Sequence, residues 1–170
     1  MTNLEKFFKT ISIKSGQRVL DFGCGSGNYT ISIAKVVGRY GLVYAVDKDK
    51  DVLNKLKKRI DYEELKNVIL INTGGGIRID LDDEAVDAII LYDVFHGYYF
   101  YIEERRKLLN EIRRISKPNA LVSVFPTHMR PDDVKNELEE AGFRFIGKNK
   151  GTLIHHNDLE KGTVLNFRKS

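Results

Sequence analysis

The sequence predicts a doubly wound α/β fold, a largely parallel sheet with helices on both faces. Three observations predict it. Strand-like and helix-like segments alternate along the 170 residues. Val86 to Tyr92 is an apolar run of the kind found in a central strand buried on both faces. A strand at Arg18–Phe22 passes into a helical pattern through glycines at 23, 25 and 27.

The elements follow in order. Asn3 to Thr10 reads as a short amphipathic helix before strand one. After the glycines, Ile31, Ile33, Ala34 and Val37 mark a helix, and Leu42 to Asp47 is strand two. Val52, Leu53, Leu56 and Ile60 recur at helical spacing, and Val68 to Ile71 is strand three, broken by Asn72-Thr73-Gly74-Gly75-Gly76. Leu108, Leu109, Ile112 and Ile115 mark the helix after Val86–Tyr92, which Ser116-Lys117-Pro118-Asn119 ends. Leu121 to Phe125 is strand five, and Pro131 opens a helix that Gly142 caps. Phe143–Ile146 and Thr163–Phe167 are strands with no helix between them, so a terminal hairpin with an antiparallel strand is expected.

The segment Val-Leu-Asp-Phe-Gly-Cys-Gly-Ser-Gly-Asn-Tyr-Thr, residues 19–30, reads as a nucleotide-type cofactor loop. Glycines let the backbone approach a ligand, and the following helix offers free N–H groups. A dinucleotide site wants its third glycine at 28, where Asn28 stands, so the spacing disfavours NAD. Asp21, at the end of a parallel strand, suits a cationic amino-acid cofactor and would repel a pyrophosphate. Asp47 follows Gly23 by 24 residues, close to the roughly 20 of a strand-helix-strand unit whose acidic residue accepts ribose hydroxyls.

Composition bounds the rest. A chain of 170 residues with 42% hydrophobic content suits one domain over 1–170. The single cysteine, Cys24, excludes a disulfide framework and points to a reducing, cytoplasmic setting. The N-terminus lacks a signal-peptide pattern, and no apolar run approaches membrane-spanning length. A formal charge of +4, from 28 basic and 24 acidic interleaved residues, permits nucleic-acid binding without arguing for it.

The loop resembles motif I of the class I S-adenosylmethionine (SAM) dependent methyltransferases, an acidic residue, any residue, then Gly-x-Gly-x-Gly. Val86 to His96 looks like the family's fourth-strand motif, and Leu109 to Pro118 is similar to the helix that usually ends in Lys-Pro-Gly-Gly, with Asn119-Ala120 in place of the glycines. The resemblance covers nearly the whole chain. It implies a Rossmann-like sheet of order 3-2-1-4-5-7-6, with strand seven antiparallel, and SAM as cofactor with S-adenosylhomocysteine as product. It further implies that Asp21 reaches the methionine ammonium and that Gly23, Cys24, Gly25, Ser26, Gly27 and Asn28 lie under the carboxylate and ribose. Asp47 would hold the ribose hydroxyls, while Lys48, Thr73 and Gly74 flank the adenine. The family's acid after strand three is missing here, and Asp80 and Asp83 read as solvated loop charges.

The acceptor should face the residues beyond strand four: Tyr92, Asp93, Phe95, His96 and the run Gly97-Tyr98-Tyr99-Phe100-Tyr101. Tyr92 and Asp93 would also touch the cofactor. Direct displacement needs mainly alignment. A base matters only where the acceptor carries a proton, which makes His96 and Asp93 the catalytic candidates. Packing is the reading for at least half of these rings, and His128 reads as a surface histidine. His155-His156-Asn157-Asp158 reads as a strand end and turn, with adjacent histidines on opposite faces, so no metal site is expected. Residues that cover substrate are few, which leaves an open acceptor site. A small-molecule acceptor is favoured, with a second subunit able to enclose it. An RNA or protein acceptor and a non-catalytic SAM-binding module remain as alternatives.

Overall fold

A computed structural model describes residues 1–156 and 158–170. The elements in chain order are α1 (Asn3–Thr10), β1 (Arg18–Phe22), α2 (Asn28–Val37), β2 (Leu42–Asp47), α3 (Lys50–Tyr62), β3 (Val68–Asn72), β4 (Val86–Tyr92), α4 (Ile102–Ile115), β5 (Ser116–Phe125), α5 (Pro131–Glu140), β6 (Phe143–His155) and β7 (Asp158–Lys169). They build one sheet of order β3-β2-β1-β4-β5-β7-β6. β1 to β5 pair in parallel, and β7 runs antiparallel to both β5 and β6. This is the seven-stranded Rossmann-like sheet the sequence predicts.

Apolar layers cover both faces. Leu108, Leu109 and Ile112 of α4 and Val134 and Leu138 of α5 join one buried cluster with Leu20, Ile89 and Leu91 of the sheet. Phe7 and Phe8 of α1 and Ile33, Ala34 and Val37 of α2 join another with Val19, Ala88 and Ile90. Successive strand residues therefore alternate between the two layers, as the period of two demands. α1 begins at a capping box, in which Thr2 and Glu5 exchange hydrogen bonds, and it docks Phe8 flat against the Tyr92 ring at 6.2 Å.

One ion network fixes the long β3–β4 connection. Glu111, almost buried on α4, accepts the Ile79 N–H at 2.7 Å, while Arg114 bonds Glu111, Asp83 and the carbonyls of Ile79 and Leu81. The Arg114 guanidinium holds the Glu111 carboxyl below the ordinary range. Asp83 is thus tied to α4, while Asp80 is exposed.

Two boundaries differ from expectation. β5 starts directly at Ser116 and not at Leu121, because a bulge takes up the Pro118-Asn119 segment: pairing jumps from Val86–Ser116 to Ala88–Leu121, with Asn119 at φ 61. The hairpin strands are far longer than Phe143–Ile146 and Thr163–Phe167, pairing from Phe143–Lys169 out to His155–Asp158. The outer half of β6, Lys148 to Thr152, is polar or small, so its pairing left no apolar run to read. Because Val124 near the end of β5 lies level with Leu165 and Lys148, and β6 runs on to His155, the hairpin tip stands beyond the carboxyl edge of the parallel strands.

Candidate active site

The site lies where the winding reverses, at the carboxyl ends of β1 and β4. Two cavities meet there. One, of about 740 Å³, is bounded by Asp47, Lys48 and Asp49 after β2, by Thr73, Gly75 and Gly76 after β3, and by an apolar slot of Val52, Ile77, Val94 and Phe100. The other, of about 570 Å³, is lined by Cys24, Ser26, Asn28, Tyr29, Tyr92, His96, Tyr98, His128, Ile154 and His156. Gly23, Gly25, Asp93 and Tyr99 border both.

The glycine loop turns on backbone bonds. Gly23 and Cys24 donate their N–H groups to the Val46 carbonyl at 2.8 and 3.0 Å, which ties β1 to β2. Asp47 accepts the Gly25 N–H on one oxygen and the Asp49 N–H on the other, each at 3.0 Å, so its carboxylate faces the first cavity in a fixed orientation. Asn28 accepts a hydrogen bond from Arg59 at 2.9 Å, and Ser26 lends its carbonyl to the same guanidinium. Gly25 and Gly27 both sit at positive φ for different reasons. A Cβ on Gly25 would meet nothing within 4 Å and would project into open space, whereas one on Gly27 would lie 2.1 Å from the Leu56 side chain. Gly27 therefore serves helix packing and lines neither cavity.

Asp21 also lines neither cavity. It is buried beneath the loop and accepts the Thr30 hydroxyl at 2.6 Å, which fastens the first turn of α2 to β1. Burial, and then the nearby Asp47 charge, push its carboxyl up to about 6 against the opposing bonds from Thr30. The carboxylate that the resemblance assigns to an ammonium contact is thus held here by Thr30. Gly74 is likewise displaced from the first cavity by Gly75 and Gly76. Cys24 is buried, and that burial raises its thiol well above the ordinary range, so it is not a nucleophile. Tyr92 shows only its edge and spends its hydroxyl on Ser123 at 2.7 Å.

Beyond β4 the chain turns sharply at Asp93, a non-glycine residue at φ 55. Its carboxylate accepts the Thr127 hydroxyl at 2.6 Å, lies 3.0 Å from His155 Nδ1 and 3.8 Å from His96 Nε2. His96 is almost wholly buried, with Nδ1 unpartnered. Burial first, and His128 second, hold its imidazole below the ordinary value, so it is neutral at pH 7 and able to take a proton. Phe95 packs in the core, Phe100 lines the nucleoside-sized cavity, and Tyr101 is exposed at the start of α4. Only Tyr98 and Tyr99 of that run face the second cavity.

Sequence reasoning missed what closes this side. The Tyr29 hydroxyl donates to the Ile154 carbonyl at 3.0 Å and accepts the Ile154 N–H at 2.7 Å, clasping the hairpin to α2. His128 is exposed yet packs on His96, with ring centroids 5.0 Å apart. His155 and His156 do not point to opposite faces: His156 has left the strand at φ 48, and the two rings lie 3.9 Å apart on one side. Asn157 of that stretch lies outside the described residues.

Gly25→Ala should lower stability by only about 1–2 kcal/mol while abolishing cofactor binding, and Gly27→Ala should lower it by several kcal/mol more; urea unfolding beside calorimetric titration separates them. Because Asp21 is more basic folded than unfolded, its contribution is present below about pH 4 and lost as pH rises through 6. Between pH 4 and 7, Asp21→Asn should gain about 2–3 kcal/mol relative to wild type in urea unfolding without ligand.

Comparisons with known proteins agree with this geometry. A family described as "Methyltransferase domain" matches residues 19–119. A demethylmenaquinone methyltransferase of Lactobacillus johnsonii is 29% identical over 123 residues, 72% of this chain and 49% of its own length. A probable cobalt-precorrin-6B C(15)-methyltransferase (decarboxylating) of Sulfurisphaera tokodaii is 37% identical over 76 residues, 45% of this chain and 40% of its own. The chain thus spans about half the length of the curated relatives it matches. The crystal structure of a SAM-dependent methyltransferase from Aquifex aeolicus superposes with a TM-score of 0.83 at 26% identity, covering 99% of this chain and 90% of that one. With the loop at 23–27, the acidic end of β2 and the seven-stranded order, these matches make the chain a member of the class I SAM-dependent methyltransferase family.

Proposed function

We propose that this chain transfers a methyl group from SAM to a small-molecule acceptor. The observation that carries the reading is the meeting of two cavities at Gly23, Gly25, Asp93 and Tyr99. The first fits the nucleoside half of the cofactor, with the Asp47 carboxylate at its rim for a ribose diol and the Val52, Ile77, Val94 and Phe100 slot for a flat base. Its open space over Gly25 is the cradle that a backbone-hugging ligand requires. When bound, SAM supplies an electrophilic methyl on a sulfonium.

The second cavity supplies the acceptor side. Tyr29, Tyr98, Tyr99 and the histidine rings offer flat faces to a conjugated acceptor, and the relatives named for demethylmenaquinone and cobalt-precorrin are named for small molecules. His96 is placed to take a proton from an acceptor oxygen or nitrogen as the new bond forms. Asp93 is bound on both sides by Thr127 and His155, so it orients its neighbours and does not serve as the free base. No helix among the described residues is long and apolar enough to cross a membrane. The reading takes residues 1–170 as one domain acting in the cytoplasm.

Calorimetry should show SAM and S-adenosylhomocysteine binding with Kd near the micromolar range, about 8 kcal/mol at 1 μM. NAD should not bind, and Asp47→Ala should lose the sulfur nucleotides. Absence of any sulfur-nucleotide binding overturns the proposal. Methyl-labelled SAM incubated with cell extract should deliver label to the small-molecule fraction, and label in RNA or protein would overturn the acceptor class. With the acceptor in hand, His96→Gln should lower kcat by about 10² to 10⁴ while changing the KM for SAM little; an unchanged kcat removes the base role.

A further inference from the structure

The chain contains four histidines. They come from three separate stretches: His96 from the turn after β4, His128 from the β5–α5 link, and His155 and His156 from the hairpin tip. His96, His128 and His156 line the second cavity, and His155 lies beside the last two. The His128 ring lies 5.0 Å from His96, 5.3 Å from His155 and 6.1 Å from His156. One ligating nitrogen each from His128, His155 and His156 fall within 4.8 Å of one another, as do ligating atoms of Asp93, His96 and His128.

Chance packing explains this poorly. Imidazoles offer one another little apolar area, and they repel when protonated. An ion that accepts their lone pairs is the chemistry that rewards three rings brought together from distant parts of a chain. Two details of the cluster fit that use. His155 Nδ1 lies 3.0 Å from Asp93, whose other oxygen is held by Thr127, so the ring is oriented by a hydrogen-bonded carboxylate and its Nε2 has no hydrogen-bond partner among the described residues. That is the carboxylate–histidine arrangement that fixes the tautomer of metal ligands. His128 and His156 also both sit at positive φ, at 59° and 48°, uncommon for a side chain, and both line the second cavity.

We propose that His128, His155 and His156 bind a divalent transition-metal ion such as zinc, with a coordination position left open toward the acceptor cavity. Nitrogens around a tetrahedral zinc at about 2.0–2.1 Å stand roughly 3.3 Å apart, a contraction from the present spacing that small ring rotations achieve. Three imidazoles without thiolate suit zinc, copper, iron or nickel over magnesium or calcium. His128 and His156 line the cavity in which the acceptor is placed, so the open position meets an acceptor bearing an oxygen or a thiol. Metal binding stands on the histidines alone, while the identity of that fourth ligand rests on the methyl-transfer reading.

The test uses the untagged full-length chain, stripped with a chelator, titrated with zinc by calorimetry and assayed for metal content after gel filtration. The expected result is one ion per chain with Kd at or below the micromolar range. His128→Ala and the double variant His155→Ala/His156→Ala should weaken binding at least a hundredfold. SAM titration of the same samples reports an intact cofactor half. Loss of zinc with SAM binding retained supports the site. No zinc binding in a wild-type protein that binds SAM overturns it and leaves the transferase reading standing. Zinc binding undiminished in the variants assigns the ion to surface groups elsewhere and also overturns it. If wild type binds zinc but not SAM, the metal site stands and the transferase reading fails.

Discussion

The structure depends on a constraint of parallel sheets: a strand-helix-strand crossover has one hand, so a sheet extended in both directions from its middle must send its connections to opposite faces. Here the chain lays β1, β2 and β3 outward in one direction, returns to β4 beside β1, and then continues to β5 in the other. α4 and α5 pack against one face, while α1 and α2 pack against the other. The loops leaving β1 and β4 therefore part, and the crevice between Gly23 and Asp93 needs no cavity carved from packed side chains. Both recognition cavities inherit their position from that parting.

Asp93 shows how the second half of the crevice is held. A left-handed turn costs a residue with a Cβ about 1–2 kcal/mol. Against that, its carboxylate receives the Thr127 hydroxyl from the β5–α5 link and faces His155 from the hairpin tip, and a hydrogen bond to a charged group contributes roughly 1.5–3 kcal/mol. Either contact offsets the cost of the turn, and each ties it to another segment. Tyr29 makes the matching link from α2 to Ile154. The glycine loop, the β4 turn and the hairpin are thereby coupled through two polar contacts among otherwise aromatic neighbours.

What could be read in the sequence divides along the same line. The nucleoside side was legible because its determinants are local: a strand, three glycines and a helix within 12 residues, and an acidic strand end at Asp47. The strand order came from the family resemblance carried by those motifs. The packing roles of Asp21 and Gly27 were not legible because motif spacing reports that a residue is constrained and not by what. Asp21 is constrained by Thr30 and Gly27 by Leu56, both contacts inside the protein. The histidine rim was illegible for another reason. His128 and His155 meet from the β5–α5 link and the hairpin tip, and the outer half of β6, polar or small between Lys148 and Thr152, carries no apolar pattern to announce how far that ladder runs.

The length of that ladder decides how the second cavity is walled. A catalytic group on a free loop is placed only as well as the loop is ordered, whereas one at the end of a paired strand inherits the register of the sheet. β6 and β7 pair out to His155–Asp158, and Leu153 is buried beneath the tip against the layer that holds Phe7 and Phe8. The hairpin is accordingly an arm braced by the same core that sets β1 and β4, and it carries Ile154, His155 and His156 to within reach of Asp93. Side chains at its end, and at the β4 and β5 turns that face it, can differ without altering any parallel strand or the glycine loop. The two cavities are thus built differently although they share one crevice and the glycine loop: the first rests on backbone geometry at the switch point, the second also on side chains mounted on the sheet's far edge.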